Sequence, residues 1–398
     1  MNSWKQLPPK FLHIELSTFC NAACPICPRF YEGTDVVRPD LNLTQITLEK
    51  FKKYFPVDII KQFTRILYCG TMGDPLMAKD CFDIFEYVHK LNPDCYQIVH
   101  TNGGIRNTEF WTKMGKLFNH KKMRLVFSID GLEDTNHLYR RNVDWATLMN
   151  NVKTFINSGG EATWEFLIFR HNEHQIEQAK ALAYSLGFKL FLPKRAFGFN
   201  DPVNNKLMPR IVFDKNGIQQ YKILPPTEVK HSITDEIKEF KDRDYNIDVT
   251  ELNEAKILKY FPRLKKKIDQ FDESVEADDL GNYGEVLNKR TIKCKSHSEN
   301  YSEIYVNAEG ILFPCCYVGT QFDSGIDSFQ TRQIKSKINA NKKELDLNVY
   351  DINIIIESGI LEKIFTQSWS KESIQNGKMA YCLEMCGNNN DLERLYIK

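Results

Sequence analysis

From residue 11 to about 195, short apolar runs alternate with longer segments whose apolar residues recur at helical spacing. The runs FLHIEL (11–16), RILYCG (65–70), YQIVH (96–100), RLVFSID (124–130), WEFLIF (164–169) and FKLFLP (188–193) are β-branched or aromatic-rich. Gly, Asn, Asp or Pro bounds each of them, and the pattern predicts six strands. KDCFDIFEYVHKL (79–91), NTEFWTKMGKLF (107–118), DWATLMNNVKTFIN (144–157) and NEHQIEQAKALAYSLG (172–187) read as helices. Ile176, Ala179, Leu182 and Leu186 share a face of the last, and Gly187 stops it. Parallel strands need crossover helices, so six strand–helix units predict an α/β fold with a parallel sheet. Six units make an open, partial barrel, short of the eight that close one. Its functional site belongs at the carboxyl ends of the strands.

Beyond residue 200 the pattern changes. Residues 201–290 are rich in Lys and Asp, with little apolar periodicity, and read as solvated helix faces in a connector or an insertion that covers a substrate. From 291 to 398 cysteines return, and EIYVNAEGILFPCC predicts two short strands around a turn at Asn307–Gly310. The expected organisation is a core at 1–200, a charged connector at 201–290 and a small α+β, cysteine-rich domain at 291–398.

Charge narrows the classes of function. Lys plus Arg (53) nearly balances Asp plus Glu (52), so no global field favours nucleic acid or an anionic membrane. The basic stretch RLKKKID (263–269) is the local exception. No apolar run reaches membrane-spanning length, and MNSWKQLPPK lacks a signal-peptide core, which predicts a soluble cytoplasmic protein with no membrane partner. Eleven cysteines in such a compartment point to metal binding or redox chemistry rather than disulfides. Cys69, Cys81 and Cys95 are scattered and read as small buried hydrophobes.

The stretch CNAACPICP places Cys20, Cys24 and Cys27 in a C-x3-C-x2-C pattern directly after the first strand. Thiolates select zinc, copper(I) or iron–sulfur clusters. Zinc sites close with four ligands, yet the next histidine along the chain is His89 and no second C-x2-C pair stands nearby. Three thiolates on one loop fit three irons of a [4Fe–4S] cube, with the fourth iron open to an exogenous ligand.

Over about the first 195 residues the sequence resembles the radical S-adenosylmethionine (radical SAM) superfamily, whose loop motif Cys20, Cys24 and Cys27 match. The resemblance implies a partial (β/α)6 barrel in which AdoMet fills the vacant iron through its methionyl amine and carboxylate. It also implies that cluster-driven C–S cleavage releases a 5′-deoxyadenosyl radical that takes hydrogen from a substrate. Ile26 departs from the aromatic residue many members carry. CGTMGDPLM places Gly73, Asp74 and Pro75 where the family has its Gly-Gly-Glu-Pro-like turn, so Asp74 stands for the carboxylate that receives the methionyl ammonium. HTNGG (100–104) matches a Thr-Asn-Gly turn after the third strand. Ser128 and Asp130 match the pair over the AdoMet ribose and methionine, and Arg140, next to Arg141, matches the arginine that grips the AdoMet carboxylate. Asn172 reads as an adenine partner or as the cap of the following helix.

A second cysteine group follows the pattern C-x15-G-x4-C from Cys294 through Gly310 to Cys315, with Cys316 adjacent and CLEMC supplying Cys382 and Cys386. Four cysteines suffice for a zinc ribbon. The spacing also resembles the auxiliary-cluster domain called SPASM, or its shorter form, twitch. Five cysteines fit one auxiliary [4Fe–4S] cluster, held by Cys294, Cys315, Cys382 and Cys386, with Cys316 competing for the second place. The resemblance implies an enzyme of oxidoreductase or maturase type acting on a peptide, protein or small molecule, with a ferredoxin or flavodoxin as electron donor. About ten residues precede the first strand, so a leader-recognition domain is expected to be absent or supplied separately. The alternatives are a small-molecule dehydrogenase or epimerase, an RNA modifier, and a zinc- or cluster-stabilised binding protein. The sequence singles out no substrate acid or base.

Overall fold

The computed structural model describes residues 4–227 and 284–387, apart from 32, 197–198, 202–205, 208, 285–286 and 299–300. Most of the charged connector, RLKKKID included, lies outside the described residues. Strands β1 (Phe11–Glu15), β2 (Arg65–Cys69), β3 (Tyr96–Thr101), β4 (Met123–Ser128), β5 (Ala162–Ile168) and β6 (Leu190–Arg195) pair in chain order, all parallel. The sheet is open, as six units predict.

Crossover helices cover one face. They are α1 (Leu48–Tyr54), α2 (Val57–Gln62), α3 (Cys81–Leu91), α4 (Thr108–Leu117), α5 (Asn136–Tyr139), α6 (Trp145–Asn157) and α7 (Ile176–Leu186). Alternation along β2 turns Ile66 and Tyr68 to this outer face, where Tyr68 meets Phe85 of α3 edge-on at 4.7 Å. Burial of each such aromatic stabilises the fold by about 2–3 kcal/mol. α4 and α6 approach so closely that a Cβ on Gly115 would lie 2.4 Å from the Phe155 carbonyl oxygen. α7 ends where expected, at Gly187 in the left-handed conformation (φ 93°).

The sequence reading placed no helix between the first two strands. α1 and α2 stand there, capped by the Thr47 side chain and split at Pro56, each too short to show a clear period. The C-terminal hairpin forms as read, Tyr301–Val306 antiparallel to Leu312–Phe313, with Gly310 at φ 88° in the turn. Tyr301–Val306 also pairs parallel with β1, so this cysteine-rich region shares the barrel sheet and extends its first edge. A second hairpin, Arg210–Phe213 with Gln219–Ile223, belongs to the segment expected as connector. No helix among the described residues is long and apolar enough to cross a membrane.

Candidate functional site

The chain leaving β1 forms a loop of successive turns: Cys27 N–H donates to Cys24 O, and Phe30 N–H to Cys27 O. Side chains hold it in place. Arg29, almost wholly buried, donates from Nε to Thr18 O at 3.0 Å, and Ala23 N–H donates to Arg141 O. The loop therefore sits at the carboxyl end of the sheet. Two donors reach the thiols from neighbouring segments, the residue after β3 and the end of α5: Asn102 Nδ2 lies 3.7 Å from Cys20 Sγ, and Arg140 Nη1 lies 3.7 Å from Cys24 Sγ. Burial raises all three thiol pKa values, that of Cys27 to about 12, with repulsion from Cys24 adding to the shift. As bare thiols they stay protonated, and loading with a metal must release those protons.

The predicted AdoMet residues gather around this loop. Arg140 is fixed by Asp130, Nε to Oδ2 at 2.6 Å, while Asp130 Oδ1 accepts the Leu167 N–H at 2.7 Å. Burial disfavours the Arg140 cation, but Asp130 and then Cys24 outweigh it and raise the pKa. Nη2 of Arg140 has no protein partner among the described residues. Ser128 closes β4, partly exposed on the same face as Arg124 by alternation. Arg141 turns the other way, with Nη2 3.6 Å from Asp35.

Asp74 is engaged by its own protein. It accepts from the Leu76 and Asn102 backbone N–H groups, from Thr101 Oγ1 and from Asn102 Nδ2, all at 2.9–3.0 Å. Those bonds use the carboxylate's acceptor capacity, so Asp74 ties the turns after β2 and β3 together. Gly73 is required by the chain itself, since a Cβ there would lie 2.0 Å from Ser17 O. Asn172 is buried, and its Nδ2 donates to Asp130 O and Leu167 O. It makes no side-chain cap bond to the following helical turn; the side chain braces the Asp130 turn instead.

Several contributors escaped the sequence reading. Glu15, at the end of β1, is fully buried and accepts from Cys69 Sγ, the Thr71 and Met72 N–H groups and Tyr305 OH. A carboxylate inside a predicted strand was the available signal. Asn21 Oδ1 takes the Asn102 amide at 2.8 Å. Arg38 reaches from the cysteine loop to the C-terminal region, donating to Pro28 O and to Asp323 O, each at 2.6 Å. The 210–223 hairpin lies across the loop: Phe213 N–H donates to Gly33 O, and Tyr221 OH to Leu138 O.

The second cysteine group also converges. Cys382 and Cys386 lie one turn apart on the helix Ala380–Cys386, so the C-x3-C spacing puts both thiols on one face. Cys294 leads in from a bridge between Ile292 and Gly387, and Cys315 precedes the helix Cys316–Asp323. After burial, Cys382 and then Cys294 raise the Cys315 pKa, and Cys386 raises that of Cys294, which reaches about 11. Mutual repulsion thus acts among these buried thiols. Cys316 lies beside His13 and Glu303, and its thiol also raises the pKa values of Cys315 and Cys386. Burial would lower the His13 pKa, but the Cys69 and Cys316 thiols and Glu303 raise it well above its usual value.

Thiol spacing bears on the metal. A tetrahedral zinc ion bonded at about 2.3 Å needs sulfurs about 3.8 Å apart. Among the described residues, His13, Glu303 and Cys316 form the single set of three or more His, Cys, Asp or Glu donors within 4.8 Å of one another. Neither cysteine group draws three thiols into that span.

Residues 14–183 match the family model of the radical SAM superfamily. No curated protein matches the chain in sequence. Among solved structures, Streptococcus suis SuiB bound to S-adenosylmethionine aligns at 15% identity and TM-score 0.46, covering 94% of this chain and 77% of SuiB. The AdoMet-bound native anSMEcpe aligns at 12% identity and TM-score 0.47, covering 93% of this chain and 88% of that one. Members of the matched family are enzymes that bind a [4Fe–4S] cluster and AdoMet, and Cys20, Cys24 and Cys27 lie within the match. Over residues 14–183, less than half of its length, the chain is similar to the radical SAM superfamily.

Proposed function

We propose that this chain cleaves AdoMet reductively and directs the resulting 5′-deoxyadenosyl radical to a C–H bond of a peptide, protein or small-molecule substrate. The observation that carries this reading is three thiols on one loop at the carboxyl end of β1, with N–H donors from Asn102 and Arg140 on two of them. When bound there, a [4Fe–4S] cluster supplies the electron that breaks the AdoMet C–S bond. Cys20, Cys24 and Cys27 would hold it.

The remaining steps fall to the protein. N–H···S bonds from Asn102 and Arg140 stabilise negative charge on the sulfurs and tune the potential. Asp130 fixes Arg140, whose remaining donors would hold an AdoMet carboxylate, and Ser128 would bind on the ribose side. Asp74 and Asn172 act one step back, as positioning residues. The 210–223 hairpin covers the loop and excludes water from a radical that water-borne reductants would quench.

Cys294, Cys315, Cys382 and Cys386 would hold one auxiliary [4Fe–4S] cluster, a local acceptor for an electron leaving a substrate radical. A ferredoxin or flavodoxin is the proposed donor to the front cluster.

The test is 5′-deoxyadenosine formation by the anaerobically reconstituted chain with AdoMet and dithionite, against the Cys20/Cys24/Cys27→Ala triple variant. Product from the wild type alone supports the reading. Equal traces from both proteins, at full cluster loading and over a panel of substrates, would sink it.

A further inference from the structure

His13 and Glu303 are neighbours across the seam where Tyr301–Val306 joins β1, on the face of the sheet turned away from the helices. β-Pairing sets Glu303 opposite Phe11 and Tyr305 opposite His13, so alternation brings His13, Glu303 and Tyr305 to one side. Cys316, the first residue of the helix Cys316–Asp323, reaches the same place from a third element. One donor atom from each of His13, Glu303 and Cys316 lies within 4.8 Å of the others.

The histidine is not satisfied by its protein neighbours. Nδ1 lies 3.6 Å from Glu303 Oε1, too far for a hydrogen bond, and the buried Nε2 has no hydrogen-bond partner. Leaving such a polar atom buried and unpaired costs about 1–3 kcal/mol. The carboxylate is held from behind: Tyr301 OH donates to Glu303 Oε2, leaving Oε1 turned toward the ring. An outer hydroxyl that orients a ligating carboxylate is a recurrent feature of metal sites. Arg65, the nearest cation on β2, stacks on Phe11 and donates to Tyr301 OH.

We propose that His13, Glu303 and Cys316 bind one divalent cation of the zinc class on the concave face of the barrel sheet. Imidazole, thiolate and carboxylate together are a borderline-soft set suited to zinc. Three protein ligands leave a fourth place for water or for a donor group of the substrate. The assignment divides an adjacent pair: Cys315 goes with the four-thiol group and Cys316 with the single ion. It does not depend on AdoMet chemistry.

The experiment loads the full chain with iron and sulfide anaerobically, adds zinc chloride, removes unbound metal and measures zinc and iron per chain. The expected result is one retained zinc per chain, with X-ray absorption showing one sulfur neighbour and the rest nitrogen or oxygen. His13→Gln, Glu303→Gln and Cys316→Ser should each lose the zinc while keeping wild-type iron, and Tyr301→Phe should bind it about tenfold more weakly. Glu303→Gln nearly preserves shape, so loss there is not a folding failure. No retained zinc in the wild type overturns the proposal. So does a drop in iron for Cys316→Ser that Cys315→Ser does not show, because Cys316 would then be a cluster ligand.

Discussion

The two cysteine groups are assembled in opposite ways. The front group comes from eight consecutive residues, Cys20 to Cys27, and the rear group from segments spread between Cys294 and Cys386. At the front, side chains from the turn after β3 and from the end of α5 reach two of the sulfurs, and the polar contacts of Asp74, Asn102 and Asp130 surround them. At the rear, Cys315 and Cys382 sit in apolar packing, with Cys382 inside a helix that closes against Ile292 and Lys293. The contrast is between a loop built for chemistry and a set of thiols that joins three parts of a fold.

The sharpest way to break that comparison is one alanine in each group. Cys24→Ala should reduce AdoMet cleavage to background with little change in thermal unfolding. Cys382→Ala should remove about half of the iron, about four atoms per chain. It should also unfold at a lower temperature, while the front site still cleaves AdoMet. Iron analysis, melting curves and 5′-deoxyadenosine yield read all three effects. Equal melting temperatures for the two variants would erase the distinction.

Arg140 sharpens the front half. Its partner Asp130 is fully buried, so Arg140→Met leaves an uncompensated carboxylate and should destabilise the chain by about 3–5 kcal/mol. Asp130→Asn should cost less, since the asparagine oxygen can still accept from Leu167 N–H. Urea unfolding of the two variants gives the order; a reversal would mean that the pair is not desolvated.

What the sequence disclosed follows the same division. The front loop was legible because a local spacing carries its chemistry, and β1 to β6 because alternation and crossover helices are local patterns. Ser128 and Arg140 were readable as positions but not as contacts: nothing local says that Arg140 would lie between Asp130 and Cys24. Asp74 looked like an open ligand and proves to be tied to Thr101 and Asn102, 27 and 28 residues on. The role of Tyr301–Val306 was hidden for a similar reason. Its parallel pairing with β1 joins residues almost 300 positions apart, and a hairpin motif does not state its third neighbour. The spacing of Cys382 and Cys386 departed from the usual pattern on paper, yet one helical turn accounts for it.

The two groups are linked through Arg38, and a cycle of variants tests the link. Gly325 adopts φ 66°, and a Cβ there would lie 1.6 Å from Arg38 Nη1. Gly325→Ala should cost about 1–3 kcal/mol through strain and displacement of the guanidinium from Asp323 O. Arg38→Ala removes the obstacle along with the link, so the double variant should be less destabilised than the sum of the singles. Urea denaturation measures it. Strict additivity would mean that Gly325 and Arg38 do not meet in solution.

Asp323, the other partner in that link, supplies an effect with a defined sign. Burial, reinforced by Glu15 and Glu309, pushes its carboxyl up to about 7, against the help of the Asn307 amide. In the unfolded chain the same group ionises near the ordinary value of about 3.9. Between these values the native state holds a proton that the unfolded state has released, so stability falls as pH rises through this window. The limiting slope is about 1.4 kcal/mol per pH unit, and the loss ends once pH passes the folded value. Asp323→Asn removes the titration and keeps an acceptor for Asn307. Measured by urea unfolding, the variant should therefore gain on the wild type from about pH 5 to about pH 7 and gain nothing further by about pH 8. A difference that stays flat over that range would mean the carboxylate is ionised throughout, and that the junction between front and rear is wetter than its packing implies.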